Sequence, residues 1–363
     1  MGRYKICVYA ICKNEEAFVR RWLDSMREAD EIVVLDTGSE DATVRLLRDG
    51  GAQVTEERVE PWRFDAARNR ALDLVPEDTD ICVCTDLDEV FHPGWREKLE
   101  QAWQSGTARA KYRYTWSFHP DGREGVVFWQ EKIHARHGYR WTHPVHEVLQ
   151  WVGAGAEGGA VCAWGVQLDH HPDPAKSRGQ YLPLLELSVR EDPQDDRNTH
   201  YLGREYMYYQ RWDDCIAVLK RHLQLPKAVW RDERAASMRF IARAYLQKGE
   251  RDEARGWYLR AVAEAPWLRE GYVELAQLLY EEEAWDGVLY FTDCALRITT
   301  RPQTYICEDA PWGSLPHDLR CIAFYRAGRW ESALESARLA LEHEPQNERL
   351  AKNAAILEEL TRA

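Results

Sequence analysis

The chain has 363 residues, of which 45% are hydrophobic and 30% charged, and its 48 basic and 61 acidic side chains give a formal net charge of −13. This composition is typical of a folded protein and excludes a fibrous or disordered chain. No stretch reaches the roughly 18 consecutive apolar residues that a membrane-spanning helix needs. The first residues lack the apolar core and cleavage site of a signal peptide, so we expect a cytoplasmic protein with no membrane partner.

Strands and helices alternate over the first hundred residues. Apolar or β-branched runs of strand length lie at Tyr4–Ile11, Glu31–Asp36, Ala52–Thr55 and Asp80–Thr85. Helical spacing of apolar residues occupies the segments between them, at Glu16–Arg27, Asp41–Asp49 and Asp65–Leu74. Continuous apolar strands separated by helices indicate a parallel sheet that is covered on both faces. A ligand is then expected at the carboxyl ends of the strands.

Between residues 109 and 177 the pattern changes to short pieces rich in Trp, Tyr and His, which we interpret as irregular strands and loops over the sheet. Basic residues outnumber acidic ones within residues 109–140, which we call the basic stretch. Its basic members are Arg109, Lys111, Arg113, Arg123, Lys132, Arg136 and Arg140, against Asp121, Glu124 and Glu131. The basic stretch either binds an anionic ligand or is a solvated face of the protein.

From residue 178 the pattern is purely helical and repeats itself. Small residues that open a second helix lie at Cys215, Ala254, Val288 and Ala333, each after a turn. Their spacing brackets the period of about 34 residues of tetratricopeptide repeats, which residues 198–363 resemble. The resemblance implies stacked helix pairs that offer a concave face to partners. We therefore expect two domains, at residues 1–177 and 178–363.

The fourth predicted strand ends in an acidic motif, Thr85-Asp86-Leu87-Asp88-Glu89. Two carboxylates at i and i+2 on a bend can meet at one divalent cation, Mn²⁺ or Mg²⁺, which in turn neutralises a diphosphate. A DxD motif on a protein surface is commonly a solvated turn. Delivery of the motif to the ligand-binding edge of a parallel sheet favours the metal site.

Three further polar segments fall at the same edge: Ile11–Glu16 (ICKNEE), Asp36–Thr43 (DTGSEDAT) and Phe64–Asn69 (FDAARN). Together with the acidic motif they resemble family 2 glycosyltransferases with the GT-A fold, which carry KNEE, DTGSxDxT, ARN and DxD in this order. The resemblance covers residues 4–172 and implies an α/β fold, a Rossmann-like mixed sheet with helices on both faces. With the repeats, the chain is similar to the bacterial and phage subgroup that includes S-glycosyltransferases of glycosylated bacteriocins.

The resemblance also implies roles for individual residues. A nucleotide-sugar would lie against Ile11, Lys13, Asn14, Glu15, Asp36, Arg68 and Asp86, with Asp36 bonded to the base. Asp88 would bind the metal directly, and Asp86 would contact the ribose, a metal-bound water or the metal itself. The segment that begins at Asp36 is also typical of a turn before a helix, and that alternative stays open.

An inverting transfer needs a general base that deprotonates the acceptor. Residues 141–147 (WTHPVHE) resemble the HE element of this subgroup, and we assign Glu147 as the base. The alternative is that Glu147 only pairs with an arginine or positions the acceptor. GT-A enzymes often take a further metal ligand from a histidine near residue 170, and we choose His170 over His171.

The predicted function is therefore a metal-dependent inverting glycosyltransferase that moves a sugar from a nucleotide-sugar to a protein or peptide, with a UDP-sugar favoured over a GDP-sugar. Trp116, Trp129 and Trp141 are expected to stack on the sugar or the acceptor. The repeats suggest a homodimer. Two alternatives stay open: transfer to hydroxymethylated bases of phage DNA, which the charge of −13 opposes, and a non-catalytic scaffold.

Overall fold

The structure, a computed structural model, describes residues 3–174 and 179–362. The chain divides into two compact units, Met1–Ser188 with Gln303–Tyr305 and Val189–Pro302 with Ile306–Ala363. The predicted boundary between residues 177 and 178 lies outside the described residues, so a domain boundary at that position stays a prediction. No described helix is both long enough and apolar enough to cross a membrane.

The first unit has the predicted alternation of strands and helices. Its elements, in chain order, are β1 (Ile6–Cys12), α1 (Glu16–Met26), β2 (Glu31–Asp36), α2 (Thr43–Asp49), β3 (Gln53–Glu56), α3 (Phe64–Asp73), β4 (Ile81–Thr85), β5 (Glu89–Phe91), α4 (Trp95–Ala102), β6 (Thr107–Thr115), β7 (Val127–Ala135), β8 (Tyr139–Thr142), β9 (Val148–Trp151) and β10 (Gly159–His170). Strands β8 and β9 form a separate hairpin.

The remaining eight strands form one mixed sheet in the order β3-β2-β1-β4-β7-β6-β10-β5. Strands β1 to β4 run parallel, β7 is antiparallel to β4 and β6, and β10 is parallel to β6. Strand β5 is antiparallel to β10 and pairs Glu89 with His170. The carboxyl ends of β1, β2, β4, β6 and β10 therefore meet at one edge of the sheet, which we call the carboxyl edge.

Both faces of this sheet carry a buried core, as the predicted fold class requires. One face packs against helices α1, α2 and α4 through Trp22, Leu47 and Trp95. The opposite face packs against α3 and the β8–β9 hairpin through Leu72 and Trp141. The predicted fold class, a mixed sheet with helices on both faces followed by helical repeats, is confirmed.

The second unit is built from antiparallel helix pairs. Helix α5 (Tyr181–Glu191) spans the boundary at Ser188, and the helices of the second unit are α6 (Asp196–Tyr208), α7 (Trp212–His222), α8 (Arg231–Gln247), α9 (Arg251–Glu264), α10 (Arg269–Glu281), α11 (Trp285–Leu296), α12 (Leu315–Arg326), α13 (Trp330–His343) and α14 (Glu348–Arg362). The four small residues that the repeat pattern singles out, Cys215, Ala254, Val288 and Ala333, are all 0% exposed. Their burial confirms the predicted register of the helix pairs.

Each of the four repeat turns contains one residue in the left-handed region, five positions before the small residue. These residues are Gln210, Gly249, Glu283 and Gly328, with φ of 58°, 79°, 56° and 67°. Glycine adopts this conformation freely, whereas a residue with a Cβ atom is strained by about 1–2 kcal/mol. Two of the four turns are therefore strained, and two are not.

Replacing Gln210 by glycine is expected to stabilise the second unit by about 0.5–1 kcal/mol, because relief of the left-handed strain exceeds the entropy that glycine loses on folding. Urea unfolding followed by circular dichroism measures the change. Gly328→Ala is the matched reverse experiment, with an expected loss of about 1 kcal/mol. A destabilised Gln210→Gly protein would contradict the strain argument.

A buried polar chain links helices α6, α7 and α8. His200 Nδ1 lies 2.7 Å from Ser237 Oγ, which lies 2.9 Å from His222 Nδ1. All three residues are 0% exposed. Burial lowers the pKa of His200 to about 3; Glu233 opposes the shift, while His222, Arg204 and Arg239 add to it. His200 is therefore neutral in the folded protein between about pH 3 and pH 6.5, a range in which the unfolded chain would carry its proton.

The second unit is expected to lose stability as the pH falls below about 6.5, the ordinary pKa of histidine. Between that value and about 3 the unfolded chain binds a proton at residue 200 and the folded chain does not. The loss through this residue is about 2–3 kcal/mol from pH 6.5 to 4.5. His200→Gln is expected to flatten the dependence in urea titrations at several pH values, while His137→Gln, at an exposed position of the first unit, leaves it unchanged. Equal slopes in the three proteins would contradict the assignment.

Candidate active site

The first two motifs at the carboxyl edge are joined to each other by hydrogen bonds. The Asn14 amide donates to Ser39 Oγ at 2.8 Å, and the Glu40 amide donates to Asn14 Oδ1 at 2.8 Å. The Glu15 amide donates to Thr43 Oγ1 at 2.7 Å. Asn14 has a φ of 56°, a conformation that these bonds hold in place. Much of the two motifs therefore builds one rigid double loop after β1 and β2.

The carboxylate of Asp36 accepts hydrogen bonds from within this double loop. The carboxylate is 1% exposed and its Oδ1 accepts from the amides of Gly38 and Ser39, both at 2.9 Å. Its Oδ2 accepts from the hydroxyl of Ser39 and from Cys12 Sγ. These bonds close a turn over residues 36–39, but Asp36 does not cap α2, which begins at Thr43 with Ala42 as its N-cap, so the alternative of a helix N-cap is not what the structure has. A bond from Asp36 to a nucleotide base stays a prediction, and it requires one of these bonds to open.

The other residues predicted to contact the nucleotide divide by burial. Lys13 and Asn14 are exposed at the end of β1, whereas Ile11 and Glu15 are buried at 9% and 8%. The exposed pair therefore has the surface that contact with a ligand needs, and the buried pair belongs to the packing beneath it.

The acidic motif lies in a dense group of charges. The acidic turn, Asp86–Glu89, follows β4, and the guanidinium of Arg68 from α3 reaches it. Arg68 Nη2 donates to Asp86 Oδ1 at 2.8 Å, and Arg68 Nε donates to Glu147. Arg68 itself is 4% exposed. One buried arginine thus bonds both the DxD carboxylate and the predicted base, and the base lies 79 residues after that arginine in sequence.

Two residues of this charge cluster were not predicted from the sequence. Lys132 on β7 places Nζ 3.0 Å from Asp86 Oδ2 and 3.2 Å from Glu89 Oε1. Glu89, 1% exposed, also accepts from the Asp86 amide at 2.9 Å and from the Tyr114 hydroxyl at 2.9 Å. The sequence contained one signal, since a lysine is unusual on a strand whose residues are half-buried or buried. Only the β4–β7 register, which pairs Val83 with Ile133, places it beside the acidic turn.

The cluster shifts the pKa values of its members in different directions. Burial raises the pKa of Asp86, but the charges of Arg68 and Lys132 more than offset it and hold that pKa far below the ordinary value. Burial lowers the pKa of Lys132, and the carboxylates of Asp86 and Glu89 raise it well above the ordinary value. Burial and the charge of Asp86 raise the pKa of Glu89.

Glu147 follows a short loop of unusual backbone. His143 and His146 have φ of 76° and 51°, left-handed values that residues with a side chain rarely adopt. The loop is tied to α3, because the Phe64 amide donates to the Pro144 carbonyl at 2.9 Å and Asn69 bonds both backbone groups of Trp141. The FDAARN motif thus positions the loop that carries Glu147.

Asp88 and His170 form the second polar pair at the carboxyl edge. Their Oδ2 and Nε2 atoms lie 3.5 Å apart, and the two side chains are 12% and 10% exposed. His170 Nδ1 lies 3.0 Å from the Trp116 carbonyl, which fixes the proton on Nδ1 and leaves Nε2 towards Asp88. Burial lowers the pKa of His170, but the hydrogen bond to Asp88 and the nearby carboxylates raise it above the ordinary value. His171 stacks on Phe118 instead.

This pair fits a divalent cation. An imidazole whose other nitrogen is fixed by a carbonyl can join a carboxylate as a metal ligand, and the nitrogen of this pair suits Mn²⁺ better than Mg²⁺. The described residues contain no group of three or more His, Cys, Asp or Glu side chains able to enclose a metal. The remaining ligands would come from a diphosphate or from water.

The three predicted stacking tryptophans differ in position. Trp116 is 45% exposed and stacks on His170 at 4.4 Å between ring centroids. Trp129 is half-buried and contacts the ring of Trp164 edge-on. Trp141 is 3% exposed, and its Nε1 donates to the Tyr9 hydroxyl at 2.8 Å within the core. Trp141 therefore has no exposed ring face for a sugar, which corrects the expectation for that residue.

The basic stretch is neutralised by its own surroundings. Arg109 and Lys111 pair with Glu131, Arg113 pairs with Glu124, and Arg123 pairs with Asp121. Lys132 belongs to the charge cluster, Arg136 pairs with Glu77, and Arg140 pairs with Asp73. Each basic residue of the stretch thus has an acidic partner, so the stretch is not a positively charged patch.

Comparison with known proteins assigns the first unit to a family. The family model described as Glycosyl transferase family 2 matches residues 7–146, a range that contains all four sequence motifs. Over 100 residues the chain is 32% identical to the lipopolysaccharide core biosynthesis glycosyltransferase LpsC of Rhizobium meliloti. The aligned region covers 26% of this chain and 36% of LpsC. Residues 7–146 are therefore a family 2 glycosyltransferase domain, as the motifs predict.

Further similarities concern repeat proteins. The chain is 31% identical over 104 residues to a TPR repeat-containing protein of Synechococcus elongatus, covering 28% of this chain and 24% of that protein. The chain therefore spans about a third of the length of LpsC and about a quarter of the length of the Synechococcus protein. The solved C-terminal part of a TPR repeat-containing protein from Cytophaga hutchinsonii is 13% identical, with a TM-score of 0.41, over 49% of this chain and 64% of that chain. Pseudomonas aeruginosa PilF is 13% identical, with a TM-score of 0.39, over 48% and 72%.

Proposed function

We propose that this protein is a metal-dependent inverting glycosyltransferase that uses a nucleotide-sugar, with a UDP-sugar as the favoured donor. The observation that carries the proposal is the position of Arg68, which bonds both Asp86 of the acidic turn, within the family 2 glycosyltransferase domain, and Glu147, directly after it. This contact supports the proposal, because the resemblance expects the donor diphosphate near the acidic turn and the base close to it. A scaffold without catalysis has no need of converging carboxylates at one sheet edge.

In the proposed reaction the carboxylate of Glu147 accepts the proton of the acceptor hydroxyl or thiol. The acceptor atom forms a bond to the anomeric carbon while the bond from that carbon to the diphosphate breaks, and the nucleoside diphosphate leaves with the electron pair. Asp88 and His170 are the residues that would hold Mn²⁺ or Mg²⁺, which supplies positive charge for the leaving diphosphate. Arg68 holds Glu147 in place, and the exposed face of Trp116 beside His170 is available to a sugar ring.

The favoured acceptor is a protein or peptide, because stacked helix pairs offer a surface on which a polypeptide can dock. A saccharide is the second candidate, and the similarity to LpsC, whose description places it in lipopolysaccharide core biosynthesis, favours it. DNA is disfavoured, because phosphate binding needs uncompensated basic residues and the basic stretch is paired throughout. A homodimer through the repeats and a cytoplasmic location remain part of the proposal.

A donor screen tests the proposal. The full chain is incubated with UDP- and GDP-sugars and with Mn²⁺ or Mg²⁺, and released nucleoside diphosphate is measured by mass spectrometry. Release from one donor, dependent on a divalent cation and increased by a peptide or saccharide acceptor, is the expected result. A protein that neither releases diphosphate nor gains thermal stability with any donor favours the scaffold, since a donor at a hundredfold over its Kd stabilises by about 2.7 kcal/mol.

A further inference from the structure

Lys132 occupies an unusual position for a lysine. Its side chain is 13% exposed and lies between two carboxylates, with Nζ 3.0 Å from Asp86 Oδ2 and 3.2 Å from Glu89 Oε1. Burying an ammonium group is costly unless it is paired, so this residue is held in place by both partners. No role in the glycosyltransferase motifs accounts for a lysine at this point of β7.

Its effect falls on Asp86. The Oδ1 atom of Asp86 accepts from Arg68 at 2.8 Å, and the Oδ2 atom accepts from Lys132 at 3.0 Å and from Arg68 at 3.2 Å. Both oxygens of this carboxylate are therefore bonded to buried cations. A divalent cation at Asp86 would meet the positive charges of Arg68 and Lys132 at short range, which Coulomb repulsion opposes.

Asp88 differs from Asp86 in this respect. Its carboxylate faces His170, with Oδ2 3.5 Å from Nε2. Glu89 is occupied as well, since it accepts from Lys132, Tyr114 and the Asp86 amide. Of the three carboxylates in the acidic turn, Asp88 alone has a neighbour that could join it as a metal ligand.

We infer that Lys132 is a positioning residue that prevents Asp86 from acting as a metal ligand, so that the acidic turn offers a divalent cation one carboxylate, that of Asp88. The inference rests on the proposed function for its metal, and it concerns the charge balance of this chain's own residues. Removing the ammonium group would leave Oδ2 of Asp86 with only the longer bond from Arg68, at 3.2 Å, and would make the turn more negative. Divalent cations would then bind more tightly, because affinity at oxygen sites increases with the number of charged ligands.

Binding of Mn²⁺ alone to the full chain, measured from the free-ion signal in electron paramagnetic resonance, tests this directly. Lys132→Met is expected to lower the Kd for Mn²⁺ by about tenfold or more, in line with the effect of added ligand charge. The double variant Lys132→Met with Asp86→Asn is expected to lose that gain. Lys111→Met, which removes a lysine paired with Glu131 at 2.8 Å on the neighbouring strand, is the matched control and is expected to leave the Kd unchanged.

A purely structural lysine would give the opposite sign, since its loss would loosen the turn and weaken Mn²⁺ binding. Unchanged or weaker binding by Lys132→Met would therefore overturn the inference. Where Lys132→Met does not fold, Lys132→Met with Glu89→Gln removes the paired charges together, and a smaller gain in the same direction is expected of it, because Asp86 loses its lysine partner while the net charge of the turn is unchanged. A wild-type chain that binds no Mn²⁺ counts against the metal in the proposed function, whereas a gain of binding in the Lys132 variants still supports the inference.

Discussion

Replacing Glu147 by glutamine is expected to lower kcat by a factor of about 10²–10⁴, the usual contribution of a positioned general base. Glutamine keeps an oxygen that can accept from Arg68 Nε, so the local geometry is retained while the proton acceptor is lost. The Kd of the donor is expected to stay within about threefold of the wild-type value, because less than 1 kcal/mol of binding free energy is at stake. Turnover at saturating donor and acceptor, with calorimetry for donor binding, measures both quantities.

Glu157→Gln is the matched control for this experiment. Glu157 is also a carboxylate paired with an arginine, Arg109, and it accepts from the Tyr139 hydroxyl at 2.8 Å. The proposed reaction gives Glu157 no role, so kcat is expected to remain near the wild-type value. Wild-type turnover in the Glu147→Gln protein would refute the assignment of the base and favour the alternative that Glu147 only pairs with Arg68.

Asp88→Asn is expected to reduce transfer by a factor of about 10² or more and to remove its dependence on divalent cations. The physical reason is the loss of the charged oxygen that pairs with His170, since a bound cation at a leaving diphosphate contributes several kcal/mol to the transition state. Titration of activity with Mn²⁺ and Mg²⁺ measures the effect. A loss of cation dependence would show that a metal ion neutralises the leaving diphosphate. Unchanged activity would show that Arg68 and Lys132 neutralise it instead.

Asp169→Asn provides the control for that substitution. Asp169 is adjacent to His170 on β10, but its carboxylate bonds His92 at 2.8 Å and Gln167 at 3.2 Å. Its loss is expected to change the cation dependence little. An Asp88→Asn protein with wild-type stimulation by Mn²⁺ would show that the pair formed with His170 does not hold the ion.

Sequence periodicity predicted the fold well, because the relevant forces are local. The β-branched run Glu31–Asp36 and the spacing of apolar residues in Glu16–Arg27 match β2 and α1 closely. The repeat turns behaved in the same way, since a small residue is required wherever two helices approach closely. The order of motifs along the chain was sufficient to predict the family 2 domain.

The chemistry of individual side chains was harder to predict. Trp141 looked like a stacking residue by composition, yet it fills the core and bonds Tyr9. The basic stretch had two interpretations, an anion-binding site or a solvated face, and its charges are cancelled by Glu131, Glu124 and other carboxylates. Net charge along a segment does not reveal which carboxylates a folded sheet places opposite each arginine or lysine.

The sequence by itself therefore determined the alternation of strands and helices, the repeat register and the presence of a family 2 glycosyltransferase domain that contains Asp86 and Asp88. Only the tertiary structure decided the partners of these groups. Arg68 meets Glu147, and Lys132 meets Asp86 and Glu89, through strand order and register between distant segments. Local pattern depends on the repeat distances of helices and strands, whereas charge pairing at a sheet edge depends on which strands become neighbours.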